Sequence, residues 1–351
     1  MSGEKNNWNT SFSLLRVIAC LGIVLLHTAN VSELLYPEVS ARVCPGLAMG
    51  IVYSMMWAVP CFLMISGALL LDPDREITPE RLRDRYIRRI ALALLICCVL
   101  FSLIDTLMNG DAFSLLFIAD GVYRLFTGGS WAHLWYLYLL LGLYLLLPFY
   151  RLITKHSSDG LLKYLLVLYA VFLSVLPVFG AFGIDIAFTI QTAGIYPFYF
   201  FVGYALNSGK LEFSTRTLAA MAIGGTVIIW VMCALSGWQE FPMGAEFQEI
   251  LGSYASPAVA LQSVGIFGLV RRIPQEKIKE KWAESIRWID ACTFGAYLIH
   301  MAFLRLFLRY LSWDLFAIGE WSIFVFAVGT FLLSLLITQL LGAIKPLRAV
   351  L

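Results

Sequence analysis

Charged residues are scarce in this chain of 351 residues. Only 14% of them are Asp, Glu, Lys or Arg, whereas 60% are hydrophobic, and the mean hydropathy is +0.81. A soluble domain needs a larger charged surface than this, so the composition predicts an integral membrane protein. The net charge of +2 gives no basic surface for nucleic acid, and we expect no nucleic-acid partner.

The chain also lacks a pattern of paired cysteines. Six of its seven cysteines lie in apolar stretches, and only Cys44 lies in a connector. This distribution predicts neither a disulfide framework nor a metal site, and we expect no metal. No internal repeat or low-complexity linker divides the sequence, which predicts one membrane domain over residues 1–351.

Long apolar segments are what the chain has in abundance. About ten of them are long enough to cross a bilayer, which predicts an all-α, polytopic membrane protein of about ten transmembrane helices. The segments are 12–31, 46–71, 88–108, 132–150, 161–181, 187–206, 216–236, 254–270, 290–311 and 321–342.

The positive charges between these segments predict the orientation. If the N-terminus is cytoplasmic, 21 of the 25 Lys and Arg residues lie on the cytoplasmic side, and only Arg42, Arg124, Arg305 and Arg309 lie outside. The opposite orientation inverts this ratio, so the positive-inside rule places both termini in the cytoplasm.

Arg16 and His27 interrupt the first apolar segment. They are eleven residues apart, so both project from one face of a helix, about 16 Å apart along its axis. Because lipid rejects such groups, we expect this face to line one continuous polar path and treat both residues as candidate site residues. The alternative is that Arg16 reaches the interface and His27 is a hydrogen-bonded packing residue.

A group of arginines precedes the third segment. Arg81, Arg85, Arg88 and Arg89 fall on one face of a continuous helix and predict a basic ridge at the cytoplasmic end of the span. Guanidinium groups match phosphate oxygens, so this ridge is a candidate phosphate site. The alternative is a topology signal that also attracts anionic lipids.

Three further polar residues fall within or beside the spans. Asp105, late in the third segment, lies at a depth comparable to that of His27 and is a candidate to orient its imidazole. His133 lies at the outer edge of the fourth segment among aromatic residues. His300 lies near the middle of the ninth segment and must find a partner there, in a structural or a substrate-pathway role.

Five motifs in order resemble the acyltransferase-3 family of integral membrane acyltransferases. They are Arg16 and His27 with ten residues between them, FLMISGALL at 62–70, RYIRRI at 85–90, HLWYLYLLLGLYLLLPF at 133–149 and GAYLIH at 295–300. The resemblance covers residues 13 to about 342 and is to the short, single-domain type, similar to the enterobacterial common antigen O-acetyltransferase. The family pattern of paired arginines fits Arg85 with Arg88 and Arg85 with Arg89.

The resemblance implies an enzyme of the inner (plasma) membrane. It implies acyl transfer, with acetyl-CoA as the expected donor, from cytoplasmic acyl-CoA to a hydroxyl of a cell-surface polysaccharide or a lipid-linked sugar. It also implies that the arginines at 85–89 bind the donor. A base or acyl carrier is needed for such a transfer, and His27 is suited to either role. A transporter or flippase of a lipid-linked sugar is the alternative.

Overall fold

The computed structural model describes residues 9–35, 47–184, 186, 194–236, 250, 252–310, 321–348 and 350. No strand occurs among these residues, so the predicted all-α class is confirmed. Fourteen α-helices are described. The three-residue helix Pro79–Arg81 is not numbered, and the others are α1 to α13: Thr10–Leu35, Leu47–Ser54, Ala58–Leu70, Arg88–Asn109, Leu116–Thr127, Trp135–His156, Asp159–Ala170, Tyr196–Asn207, Thr215–Ser236, Pro257–Arg271, Glu280–Tyr310, Trp321–Leu341 and Lys345–Arg348.

Eight helical segments of the described chain are long and apolar enough to cross a membrane. They are Thr10–Val31, Met49–Leu70, Pro79–Asn109, Ala132–His156, Asp159–Gly180, Thr215–Leu235, Glu280–Phe307 and Trp321–Leu341. The other two predicted spans, 187–206 and 254–270, contain the shorter helices α8 and α10, of 12 and 15 residues. Residues 187–193 of the first lie outside the described residues. A full crossing takes about 20 residues, and eight segments of the described part of the chain reach that length.

The helices are grouped into two compact units. The first unit comprises residues 1–72, 157–293 and 315–328, and the second comprises residues 73–156, 294–314 and 329–351. Helix α11, 31 residues long, contributes its first part to the first unit and its second part to the second unit.

Small residues allow the close helix packing of the first unit. A Cβ atom added at Gly67 of α3 would overlap the carbonyl group of Phe200 on α8, and one added at Gly203 of α8 would overlap the backbone at Met64. Helices can approach this closely only where the side chain is absent. The small-residue sequence Ser66-Gly67-Ala68 is thus part of a helix crossing that fixes the centre of the unit.

We expect Gly67→Ala to lower the free energy of unfolding by about 1–3 kcal/mol, because backbone atoms of α8 cannot yield as a flexible side chain would. Unfolding in mixed micelles measures this. Gly142 of α6 is a matched control, since no atom lies within 4 Å of a Cβ built there. Gly142→Ala should be neutral or slightly stabilising. Equal effects of the two substitutions would contradict the proposed role of Gly67.

A helical hairpin characterises the second unit. Helix α4 ends at Gly110, which has a φ of 78°, and α5 returns along it and ends at Gly128, with a φ of 69°. Gly121 of α5 packs on Val99 of α4, where an added Cβ would lie 2.6 Å from the Val99 Cα. Both residues are eleven positions from Gly110, so α5 runs antiparallel to the second half of α4. With 12 residues, α5 is too short to cross a bilayer.

Candidate functional site

Arg16 is held by a carboxylate on a helix distant in sequence. Its Nε and Nη2 atoms donate to the two carboxylate oxygens of Asp290 on α11, at 2.7 and 2.6 Å. Nη2 also lies 3.4 Å from the hydroxyl of Ser13. The Asp290 side chain is only 4% exposed and that of Arg16 is 25% exposed. This planar, two-bond geometry fixes the guanidinium and ties α1 to the first part of α11.

The face of α1 that carries Arg16 is directed into the protein. Cys20 and Ile23, which lie between Arg16 and His27 on this face, are 0% and 3% exposed, whereas Ile18 on the opposite side is 42% exposed. The Cys20 thiol donates to the carbonyl of Thr293 at 3.4 Å. The shared inward face is confirmed. Cys20 and Ile23 are buried on this face, and one continuous polar path along it stays a prediction.

His27 lies on the same helix, eleven residues after Arg16, and is partly buried. The residues beside it are firmly packed. Leu26 contacts a hydrophobic cluster that includes Tyr53 and Ile229, and the hydroxyl of Thr28 donates to the carbonyl of Val24 at 2.8 Å. The neighbours of His27 thus hold this part of α1 within the first unit.

The four arginines around the start of α4 are all exposed. A π-helical turn, Leu82–Ile87, interrupts the helix that begins at Pro79, and a π-turn changes the angular positions of the residues that follow it. Arg85 and Arg88 are exposed and make no hydrogen bond or salt bridge with the described part of the chain. Their guanidinium groups are therefore available to a ligand.

Arg89 is exposed like Arg85 and Arg88, but it makes contacts that they do not make. Its guanidinium carbon lies 5.0 Å from the centre of the Phe294 ring, and its Nε donates to the carbonyl of Val350 at 3.1 Å. These contacts connect the start of α4 to α11 and to the last residues of the chain. Arg89 thus packs within the second unit while it remains exposed, and the basic ridge formed by the four arginines stays a prediction.

Asp105 is surrounded by cations of its own unit. Its carboxylate accepts from Arg124 at 2.6 Å, from the Trp131 indole at 3.0 Å and from Arg305 at 3.2 Å. Arg124 also pairs with Asp120 at 2.6 Å, one turn earlier on α5. Its partners in the second unit thus give Asp105 a role in holding α4, α5 and α11 together; its role toward His27 stays a prediction.

Aromatic stacking extends this network to the two buried histidines. Trp131 lies between the Phe101 ring, 4.1 Å away, and the Arg305 guanidinium, 4.1 Å from its centre. His133 and His300 are 2% and 0% exposed, and their ring centres are 5.3 Å apart. The expectation that His300 needs a partner is confirmed.

Backbone carbonyls define which nitrogen of each histidine carries the proton. His300 Nδ1 is 2.6 Å from the carbonyl of Tyr297, and His133 Nε2 is 3.1 Å from that of Leu298. Since a carbonyl only accepts, both of these nitrogens are the donors. The hydroxyl of Tyr297 donates in turn to the carbonyl of His133. The two histidines therefore link α11 to the start of α6.

The predicted site residues fall into both units. Arg16 and His27 belong to the first unit, while the arginines at 85–89, Asp105, His133 and His300 belong to the second. The sequence analysis missed Asp290, although an acidic residue at the start of the ninth predicted span needs a cationic partner and Arg16 is a cation at the same end of its own span. Among the described residues, no group of three His, Cys, Asp or Glu is arranged to hold a metal ion.

Comparison with known proteins identifies the family of this chain. Residues 9–342 match the family model of an acyltransferase domain, which is nearly the whole sequence. No curated protein and no solved structure gives a significant match. The match extends from the helix that carries Arg16 and His27 to the end of α12, so the chain belongs to the acyltransferase-3 family and is an integral membrane acyltransferase.

Proposed function

We propose that this acyltransferase moves an acyl group from cytoplasmic acyl-CoA, with acetyl-CoA as the donor, to a hydroxyl of a cell-surface polysaccharide or lipid-linked sugar. It would act as a multi-pass protein of the inner membrane. Within the family, the proposal rests on one observation. His27 is a partly buried imidazole in the first span, and the charged residue of the same span, Arg16, is held by a salt bridge to Asp290. An ionisable side chain retained in a span is a functional-site hypothesis by default.

His27 supplies the proton transfer that the reaction needs. As a base, its imidazole takes the proton of the acceptor hydroxyl while the hydroxyl oxygen attacks the thioester carbonyl; the carbon–sulfur bond then breaks, and the CoA thiolate takes up the proton. As an acyl carrier, the imidazole nitrogen attacks the thioester carbonyl first, the carbon–sulfur bond breaks and CoA leaves as the thiol with the proton of the imidazole; the acceptor oxygen then attacks the acyl-imidazole, the carbon–nitrogen bond breaks and the imidazole takes up the hydroxyl proton. Both routes require His27.

Arg16 acts at a different place on the donor. It lies about 16 Å along the helix from His27, too far to contact the same reacting atoms. Asp290 and Ser13 occupy its Nε and Nη2 atoms, and Nη1 makes no hydrogen bond with the described residues. We infer that Nη1 binds an oxygen of the donor while the salt bridge keeps the guanidinium in place.

Arg85 and Arg88 are suited to the phosphates of CoA. Both guanidinium groups are exposed and make no ion pair in the described chain, whereas Arg83, two residues before Arg85, is paired with Asp84 through two bonds of 2.9 Å. Arg89, packed against Phe294, supports the start of the helix and contributes to the donor site from there.

We expect Arg85→Gln and Arg88→Gln each to raise the KM for the donor about ten- to a hundredfold with a smaller effect on turnover, since the phosphates are remote from the thioester and each charged hydrogen bond is worth about 1.5–3 kcal/mol. Steady-state kinetics with varied acetyl-CoA measure this. Arg83→Gln is the matched control and should leave the KM unchanged, because Asp84 already occupies that guanidinium. If the donor KM is unchanged in both variants, Arg85 and Arg88 do not bind the donor and serve only as a signal for membrane topology.

Release of the CoA thiol tests the proposed function as a whole. The purified protein is given acetyl-CoA with and without a glycolipid extract of the source membrane, and free thiol is followed with a chromogenic disulfide. We expect thiol release that depends on both the protein and the extract. Release that is the same with and without the extract would contradict transfer to a glycan.

A further inference from the structure

An apolar cavity of about 490 Å³ lies within the first unit, between α7, α8, α9 and α10. Lys163, Leu211 and Phe213 line one end of it, and Val175, Phe198 and Pro257 line the other. The walls between them consist of aliphatic side chains such as Val202 and Val264. We call this cavity the α7–α10 slot.

The slot has the length of an acyl chain in one leaflet. Lys163 and Val175 are twelve residues apart on a helix whose last turn is π-helical, which corresponds to about 16 Å. This is about half of the 30 Å hydrocarbon thickness of a bilayer. The length and the apolar walls of the slot therefore suit an acyl chain.

The charges at one end of the slot indicate what the chain carries. Two cations near this end have protein partners: Lys210 pairs with Asp159 at 3.1 Å, and Arg272 donates to the Thr215 hydroxyl at 2.9 Å and to the carbonyl of Phe213. Lys163 is exposed and makes no hydrogen bond or salt bridge within the described residues. Its aliphatic stem lines the slot, so its ammonium group is at the mouth.

We propose that the α7–α10 slot binds one acyl chain of an anionic phospholipid, whose phosphate group is held at the mouth by Lys163. The apolar walls supply affinity for the chain, and the ammonium group supplies the preference for a negatively charged headgroup. This lipid site is separate from the residues assigned to acyl transfer and does not depend on that assignment.

Native mass spectrometry of the purified protein tests this proposal. The protein is exchanged into detergent and given equal amounts of phosphatidylglycerol and phosphatidylcholine with identical chains. We expect one tightly retained lipid per protein, with phosphatidylglycerol preferred about fivefold, the factor that one lysine near a headgroup provides. Equal retention of the two lipids by the wild-type protein would overturn the proposal.

Two test substitutions, each with a control substitution, distinguish the contribution of the lipid headgroup from that of the acyl chain. Lys163→Gln should remove the preference and keep the retained lipid, whereas Lys155→Gln, a change of an exposed lysine at the end of α6, should keep both. Ala260→Trp fills the slot and should abolish retention, while Ala220→Trp, on the exposed face of neighbouring α9, should not.

Size-exclusion chromatography establishes that each variant is folded before its bound lipid is measured by native mass spectrometry. If folded Ala260→Trp still retains the lipid, the lipid is bound elsewhere and the proposal is wrong. If Ala260→Trp does not fold, Ala170→Leu on the opposite wall replaces it, with an expected loss of retention of about tenfold and the same contradicting result.

Discussion

Asp290→Asn is expected to destabilise the protein by about 3 kcal/mol. The substitution keeps the shape of the side chain and leaves the Arg16 guanidinium in its place without its counter-charge. Breaking a buried pair by removing one partner costs about 3–5 kcal/mol, and the 25% exposure of Arg16 puts this pair at the lower end. Equilibrium unfolding in mixed micelles of mild detergent and sodium dodecyl sulfate measures the change.

A second ion pair of the same unit provides the control for Asp290→Asn. Lys210 and Asp159 lie 3.1 Å apart, but the Asp159 side chain is 60% exposed, so Asp159→Asn should cost at most about 1 kcal/mol. The double variant Arg16→Leu/Asp290→Leu should recover part of the stability lost in Asp290→Asn, because it buries no unpaired charge. If Asp290→Asn and Asp159→Asn have equal effects, the Arg16–Asp290 pair does not anchor α1.

His27→Ala is expected to lower the turnover number at least about a hundredfold, since a positioned acid–base group contributes about 10²–10⁴ to a rate. The affinity for CoA should change little, because the proposed phosphate ligands are Arg85 and Arg88. The measurements are acyl transfer at saturating donor and CoA binding by calorimetry on the same preparation.

His156→Ala controls for the loss of a histidine as such. His156 is exposed at the end of α6, and its substitution should leave turnover unchanged. Turnover that is retained in His27→Ala would remove the proposed mechanism. A parallel loss of CoA binding and turnover in His27→Ala would instead make His27 a structural residue.

The helical class of the protein was predictable because a membrane-spanning helix can be recognised from a run of consecutive apolar residues alone. Helices α8 and α10 show the limit of this argument. Their apolar runs are long enough to be taken for full spans, but the helices in the described parts of these runs have 12 and 15 residues. Nearly every residue of α8 is buried in the protein, so its hydrophobicity reflects packing against α3 rather than contact with lipid.

Helix α5 was not predicted because it is too short for a span and follows a short connector. Its charged residues Asp120 and Arg124, one turn apart, lie in a largely apolar sequence. Their partners are on α4, where Asp120 accepts from Ser102 and Arg124 pairs with Asp105. A sequence read segment by segment gives no indication of this pairing, since it depends on the chain reversal after Gly110.

The candidate site was predictable to a similar extent. The unusual polar residues of the first span identified Arg16 and His27, but the partner of Arg16 is 274 positions away, and only the tertiary structure brings it there. Helical spacing likewise could not show that Arg89 contacts the Phe294 ring and the carbonyl of Val350, which is 261 positions away. In both cases the missing information was a contact between distant segments.

Transfer of a labelled acyl group tests the central claim most directly. The protein is reconstituted in vesicles with a glycolipid extract, and acetyl-CoA labelled with ¹⁴C in the acetyl group is supplied. We predict that label enters the glycolipid as an ester that mild alkali releases, in an amount equal to the CoA set free. If the glycolipid stays unlabelled and is instead moved from one leaflet to the other, the protein is a carrier, and the account of His27 and the arginines as a transfer site is contradicted.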